Sequence, residues 1–270
     1  MDFDQILYEK SDGIATITLN RPERRNAFTP TMIREWAAAL EDARLDSSVG
    51  VVIVTGAGKG FCAGADLRGG ENALDKTDGP PPTTAADFRN WLRDSVHYVP
   101  RAVALLDKPY IAAVNGAAVG AGMDMCSMAD IRIFSDTARV AMSYVKVGLV
   151  PGDGGCYYLP RIVGLAKALE LIWTGDFVDA EEAVRIGYAS KAVPADELMP
   201  ATRELALRIV AGPAVAIQAA KQLVYRSYDS TVEQALEDAN RAMAIIRSTE
   251  DSKEGPRAFA EKRAPVFKGR

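Results

Sequence analysis

Two short stretches of this chain are suited to chemistry at the backbone. The first is Gly60-Phe61-Cys62-Ala63-Gly64-Ala65-Asp66-Leu67, which comes after the apolar run Val51-Val52-Ile53-Val54. The second is Asn115-Gly116-Ala117-Ala118-Val119-Gly120-Ala121-Gly122-Met123-Asp124, after Tyr110-Ile111-Ala112-Ala113-Val114. In each, a β-branched run breaks into small residues and then enters a helix-compatible segment. Small residues let a ligand atom approach the backbone closely. They also leave the unpaired N–H groups of a helix start pointing outward. Two such groups converging on one oxygen would form an oxyanion hole, which suits a reaction in which a carbonyl oxygen gains negative charge. Acidic side chains stand close by in sequence: Asp124 itself, and Asp153 within Val150-Pro151-Gly152-Asp153-Gly154-Gly155.

The elements that must position these residues are legible in outline. Ile14 to Leu19 alternates apolar and small polar residues and is predicted to be a strand. A turn at Asn20-Arg21-Pro22-Glu23 follows, then a helix from Pro30 through Leu40 with Thr29 as its N-cap. Val51 to Val54, Tyr110 to Val114 and Ile131 to Phe134 are predicted as buried strands. Strands alternating with helical stretches indicate an α/β fold. No clean internal repeat is visible. Residues 69–86, with Gly69-Gly70 and Gly79-Pro80-Pro81-Pro82-Thr83-Thr84, cannot hold a regular element and read as a functional loop or a disordered one. Beyond about Pro200 the spacing predicts helices over 201–210, 214–225 and 231–246, the last capped by Ser230 or Thr231 with Glu233 in its first turn.

Bulk composition narrows the classes. The 270 residues suffice for one large domain or one plus an appendage. Apolar residues make up 48% and charged residues 25%, ordinary for a soluble globular protein. The net charge of −4, with dispersed basic residues, points to no nucleic-acid partner. Three cysteines without a CxxC pair read as reduced thiols, and an acidic start without a signal pattern makes a cytoplasmic protein the default. No apolar run reaches the roughly 20 residues that span a bilayer. The single histidine, His97, reads as a polar residue on the helix after the loop and cannot anchor a multi-histidine metal site. There is no GxSxG elbow. Gly56-Ala57-Gly58-Lys59-Gly60 lacks the spacing of a phosphate loop, and Gly116, Gly120 and Gly122 fail that of a dinucleotide site.

The two turns belong to a longer series of short motifs. These are Leu19-Asn20-Arg21-Pro22 with Asn26-Ala27, Lys108-Pro109, Ala129-Asp130-Ile131-Arg132, Gly148-Leu149-Val150-Pro151 with Gly154-Gly155, Leu159-Pro160-Arg161-Ile162-Val163-Gly164, and Glu254-Gly255, Ala258-Phe259 and Glu261-Lys262-Arg263 near the end. In this order the set resembles the enoyl-CoA hydratase/isomerase (crotonase) superfamily over nearly the whole chain. The resemblance implies a spiral of repeated β-β-α units over residues 1–200 carrying the CoA-thioester site. It also implies a helical region over 201–270 that packs against neighbouring subunits as a homotrimer or hexamer.

It further implies roles for single residues. The oxyanion donors would be the backbone N–H groups of Ala65 and Ala121. Ordinary hydratases of this family carry two glutamates, and those positions fall on Asp124 and Tyr144. Asp124 keeps the carboxylate on a stem one methylene shorter. Tyr144 is a larger departure, because a phenol with a pKa of about 10 is a poor base though a good donor. Some relatives place a catalytic acid on the loop that holds Asp153, one residue earlier. Asp153 is thus either an acid or base or an Asx-turn residue between glycines, and Asp124 either catalytic or a first-turn carboxylate. Arg24 and Arg25 would meet CoA phosphates or form a solvated charge pair. Ala27, Ala63, Asp66 and Leu67 would line the same CoA path, and Phe267 and Lys268 would reach the adenine end, sometimes from a neighbouring subunit. Phe88, Trp91, Leu92, Tyr98, Met142 and Tyr157 are either acyl-pocket wall or core. No metal or separate cofactor is implied, since coenzyme A arrives with the substrate. The expectation is an acyl-CoA enzyme performing double-bond isomerisation or hydration; the alternative is a relative that binds CoA thioesters without catalysis.

Overall fold

A continuous apolar run can be a strand only if both of its faces are covered. A computed structural model, which describes residues 2–66 and 84–269, shows both faces of β3 covered. Strands β1 (Ile6–Ser11) and β2 (Ile14–Leu19) form an antiparallel hairpin, and helix α1 (Pro30–Leu45) returns the chain to β3 (Val51–Gly56). Val51 and Ile53 face one side with Ile14, where they pack with Leu198 and Ala206. Val52 and Val54 face the other side, in one cluster with Met32, Ile33 and Trp36 of α1. The period-two alternation of side chains does this sorting.

Beyond β3 the chain repeats a pattern. β3 is followed by β4 (Gly60–Cys62) and then α2 (Ala85–Phe88) and α3 (Tyr98–Leu105). β5 (Tyr110–Val114) is followed by β6 (Ala117–Val119) and α4 (Ala121–Ser127). β7 (Ile131–Ser135) is followed by β8 (Arg139–Ala141), a 3-10 turn (Ser143–Val147) and α5 (Gly155–Val163). In every unit the first strand joins a six-stranded sheet and the second a four-stranded one. The remaining elements are α6 (Leu165–Thr174), β9 (Val178–Asp179), α7 (Ala180–Arg185), β10 (Lys191–Val193), α8 (Leu198–Val210), α9 (Ala214–Ser227), α10 (Val232–Ile246) and α11 (Asp251–Ala260). The sheets run β1-β2-β3-β5-β7-β10 and β4-β6-β8-β9. Successive units pair in parallel, Val52 with Tyr110 and Ile111 with Ile131 in one sheet, Gly60 with Ala117 and Ala118 with Val140 in the other. This is the expected spiral of β-β-α units. The repeat lies in the backbone path and not in the residues.

Local signals account for many boundaries. Thr29 caps α1, its Oγ1 accepting from the Met32 N–H at 3.2 Å with Pro30 in the first turn. The helix runs to Leu45, five residues beyond the expected end. Its C-terminal carbonyls are satisfied from a distance: buried Lys108 donates through Nζ to Ala43 O at 2.7 Å and Asp46 O at 2.6 Å. The Lys108-Pro109 pair therefore acts as a remote cap before β5 begins. Thr231 makes a capping box with Gln234 at the start of α10. Residues 69–83 of the expected loop lie outside the described residues, and residues 85–86 open α2.

Candidate active site

Three side chains separated in sequence meet at the start of α4. Gly120 turns the chain out of β6 with φ of 55°, and α4 begins at once, so Asp124 falls in its first turn. Tyr144 comes from the 3-10 turn after β8. Asp153 comes from the turn before α5. Tyr144 Oη lies 2.7 Å from Asp124 Oδ2 and 3.0 Å from Asp153 Oδ2, and the Asp153 N–H donates to Asp124 Oδ2 at 3.1 Å. Both carboxyls are buried, and Oδ1 of each has no hydrogen-bond partner. Gly155 is needed beside them, since a Cβ there would stand 2.1 Å from Asp124 Oδ1.

Burial, with the Asp153 charge next to it, pushes the Asp124 carboxyl up from 3.8 to about 7. Burial also raises Asp153, opposed by the Tyr144 hydrogen bond and by His97. The Tyr144 hydroxyl is driven well above its ordinary range, first by burial and then by the two carboxyls, so it is a donor and not a base. The folded protein holds the carboxyl protons more tightly than the unfolded chain does. The stability this brings is full below about 3.8 and is lost as the pH rises towards 7.

The two small-residue turns lie against each other. Phe28 and Ala65 form a parallel bridge in which the Phe28 N–H donates to Gly64 O at 2.9 Å and the Asp66 N–H to Phe28 O at 3.2 Å. Such a bridge leaves the N–H of Ala65 itself pointing away from Phe28. Ala121 is the first residue of α4, so its N–H has no intrahelical acceptor. Gly64 has φ of 87°, and a Cβ on it would lie 2.8 Å from Val119 O and 3.4 Å from Ala121 N. A Cβ on Gly122 would lie 2.1 Å from Cys62 O. Close backbone approach thus sets the Ala65 and Ala121 turns side by side.

Arg24, Arg25, Ala27, Ala63, Ala65 and Asp66, with Glu23, line a surface cavity of about 240 Å³. Buried Asn26, at φ of 55°, ties its two halves together. Its Oδ1 accepts from the Arg21 N–H at 2.9 Å, and its Nδ2 donates to Ala57 O at 2.9 Å and Gly60 O at 2.8 Å. Arg21 pairs with Asp66 at 3.2 Å and donates to Ala27 O. Asn26→Ala removes three hydrogen bonds, two of them buried, and should lower the unfolding free energy by about 2–4 kcal/mol. Urea unfolding checks this; a loss below about 1 kcal/mol would mean that the clamp is not structural.

Other expected site residues fall elsewhere. Leu67 lies outside the described residues, as does the side chain of Phe88. Phe267 and Lys268 are not in the Arg24 cavity. The tail is held to α11, where Asp251 accepts from the Lys268 and Gly269 N–H groups at 2.7 and 2.9 Å and Glu254 accepts from Val266 at 3.0 Å. Tyr157 is exposed, with Arg161 stacked 3.7 Å from its ring centre, and Tyr98 is exposed as well. Met142 is core, while Leu92 reaches over Gly152, whose added Cβ would meet its Cδ1 at 2.9 Å. His97, read as an incidental polar residue, in fact joins the site: its Nε2–H donates to Gly152 O at 2.9 Å, beside Asp153. No local pattern links residues so far apart, so only its uniqueness could have drawn attention.

Known proteins resemble the chain along nearly its whole length. Residues 9–270 match the family described as enoyl-CoA hydratase/isomerase. A Mycobacterium bovis protein designated probable enoyl-CoA hydratase is 38% identical over 267 residues, covering 99% of both chains. The (E)-benzylidenesuccinyl-CoA hydratase of Thauera aromatica is 35% identical over 265 residues, covering 98% of this chain and 99% of its own. The crystal structure of an enoyl-CoA hydratase from Bacillus anthracis superposes with a TM-score of 0.89 at 30% identity, covering 99% of this chain and all of that one.

Proposed function

The chain belongs to the enoyl-CoA hydratase/isomerase family and is an enzyme of that type, and from that premise we propose that its acyl-CoA chemistry runs between the Ala65–Ala121 backbone pair and the Asp124–Tyr144–Asp153 cluster. The observation that carries this is the meeting of Tyr144 and Asp153 with Asp124, which stands in the helix turn that begins at Ala121. The thioester oxygen takes hydrogen bonds from Ala65 and Ala121, which hold the negative charge of an enolate. In hydration, water adds to the β-carbon and gives its proton to a carboxylate; a second proton then quenches the enolate at the α-carbon. In isomerisation, one proton leaves and another returns at a different carbon. Both reactions pass through the same enolate. Arg24 and Arg25 meet the CoA phosphates with forked donors, and Ala27, Ala63, Asp66 and Leu67 line its path. The enolate needs no group beyond the CoA that comes with the substrate.

A panel of enoyl-CoA thioesters of differing chain length, some bearing rings, tests the proposal. Turnover to the 3-hydroxy product or the shifted alkene is expected. Binding without turnover of any member would favour a non-catalytic CoA-thioester binder.

The same reading extends to assembly. Helices α9 and α10 bury no residue within the chain, and Val232, Leu236, Met243 and Ile245 of α10 are exposed, as are Trp173 and Phe177. Apolar surface on this scale favours association. The helical region, 201–270, is the assembly unit, and 1–200 the catalytic core, in a homotrimer or hexamer; Phe267 and Lys268 then serve a neighbour's CoA. Sedimentation at micromolar concentration should give a trimer or larger, and a stable monomer would refute it. Free Cys62, Cys126 and Cys156 suit a reducing cytoplasm. Among the described residues no helix is long and apolar enough to cross a membrane.

A further inference from the structure

The hydrogen-bond inventory of the cluster does not close if both carboxyls are ionised. A phenol has one hydrogen and can donate it once. Yet Tyr144 Oη lies within hydrogen-bond distance of two carboxyl oxygens, Asp124 Oδ2 at 2.7 Å and Asp153 Oδ2 at 3.0 Å. With only the phenol hydrogen available, one of these contacts would set lone pair against lone pair in a buried site. A second hydrogen must therefore sit on a carboxyl. Asp124 Oδ2 already faces two donors, the phenol at the shorter distance and the Asp153 N–H at 3.1 Å. An oxygen with two donors aimed at it is an acceptor. Asp153 Oδ2 faces only Tyr144 Oη, so it is the place for the hydrogen.

We propose that Asp153 is a neutral positioning acid whose Oδ2–H donates to Tyr144 Oη, and that Asp124 is the base, acting through its unpartnered Oδ1. The assignment rests on the acyl-CoA reading above for the reaction but not for the position of the proton. Asp153 then keeps the pair to a single charge, and Tyr144 donates its own hydrogen bond to Asp124 Oδ2 and fixes the direction of Oδ1. Among the described residues, Tyr144 and Asp124 face Asp153, with His97 at the start of α3 behind Gly152; Cys156 is the other titratable neighbour of Asp124. Burial raises both carboxyls, which is consistent with a pair that keeps one proton near neutrality.

Two measurements decide it. Neutron diffraction from deuterated crystals of the unliganded protein near pH 7.5 should show deuterium on Asp153 Oδ2 directed at Tyr144. Deuterium on Asp124, or on neither carboxyl, would overturn the assignment. This reading needs no turnover, so it stands apart from any failure of the thioester panel. Kinetically, Asp153→Asn supplies an amide N–H in place of the acid hydrogen and should lower kcat by about tenfold. Asp153→Ala and Asp124→Asn should each lower it by roughly 100-fold or more. The kcat/KM profile of Asp153→Asn should lose its alkaline limb, where Asp153 gives up its proton, and keep its acid limb in place. A drop in Asp153→Asn as deep as in Asp124→Asn, or a shift of its acid limb towards the ordinary carboxylate range, would show instead that Asp153 is charged at work.

Discussion

Replacing Asp124 by asparagine should lower kcat by roughly 100- to 10,000-fold while the protein stays folded. The side chain keeps its shape, and its amide oxygen can still accept from Tyr144 and the Asp153 N–H. What is lost is basicity at an oxygen that has no other partner. Asp124 must be ionised to accept a proton, so acidification should lower kcat/KM in the unsubstituted enzyme. The midpoint of that fall should be displaced from 3.8 towards 7. Steady-state rates on the best thioester of a panel, beside circular dichroism of both proteins, check this. A folded Asp124→Asn enzyme within about threefold of normal would remove Asp124 from the proton chemistry.

The second large effect concerns a backbone atom. Ala121→Pro deletes one of the two proposed donors, and loss of a single oxyanion donor typically lowers kcat by about 100- to 1,000-fold. The site suits the experiment, because proline is well tolerated at the first position of a helix, where its missing N–H has no intrahelical acceptor to lose. The loss should appear in kcat with substrate affinity largely kept. A folded variant with near-normal turnover would mean that the thioester oxygen binds elsewhere.

How much of this was legible depended on whether the cause was local. β2 and β5 begin and end where their apolar runs do, and Thr29 with Pro30 announces α1 through neighbouring atoms. The end of α1 was not legible, because its cap is a lysine 63 residues beyond Leu45 in the chain. Strands β4, β6 and β8 have three residues each, with a single β-branched side chain in β6 and in β8 and none in β4, too short a run to compete with a turn reading. They exist because the sheet supplies partners. In the site, small residues marked the Ala65 and Ala121 turns, whose proximity is a backbone matter. The Asp124–Tyr144–Asp153 contact was visible only as three candidates, since partners 20 and 9 residues apart share no element. His97 gave no sign of its bond to Gly152 for the same reason.

The two proposed donors leave the ends of β4 and β6, neighbouring strands in one parallel ladder, Gly60 opposite Ala117 and Cys62 opposite Ala118. The ladder sets the ends of these two strands about 4.8 Å apart, and the donors follow within three residues. A strand ladder is a stiff ruler that no side chain at position 65 or 121 can stretch. Methyl-sized changes at those two positions would leave the gauge untouched. Glycine positions 64 and 122, where one added carbon wedges the ladder open, carry the tolerance of the site. Variation in this enzyme should then be permissive at the donors themselves and strict at the glycines beside them.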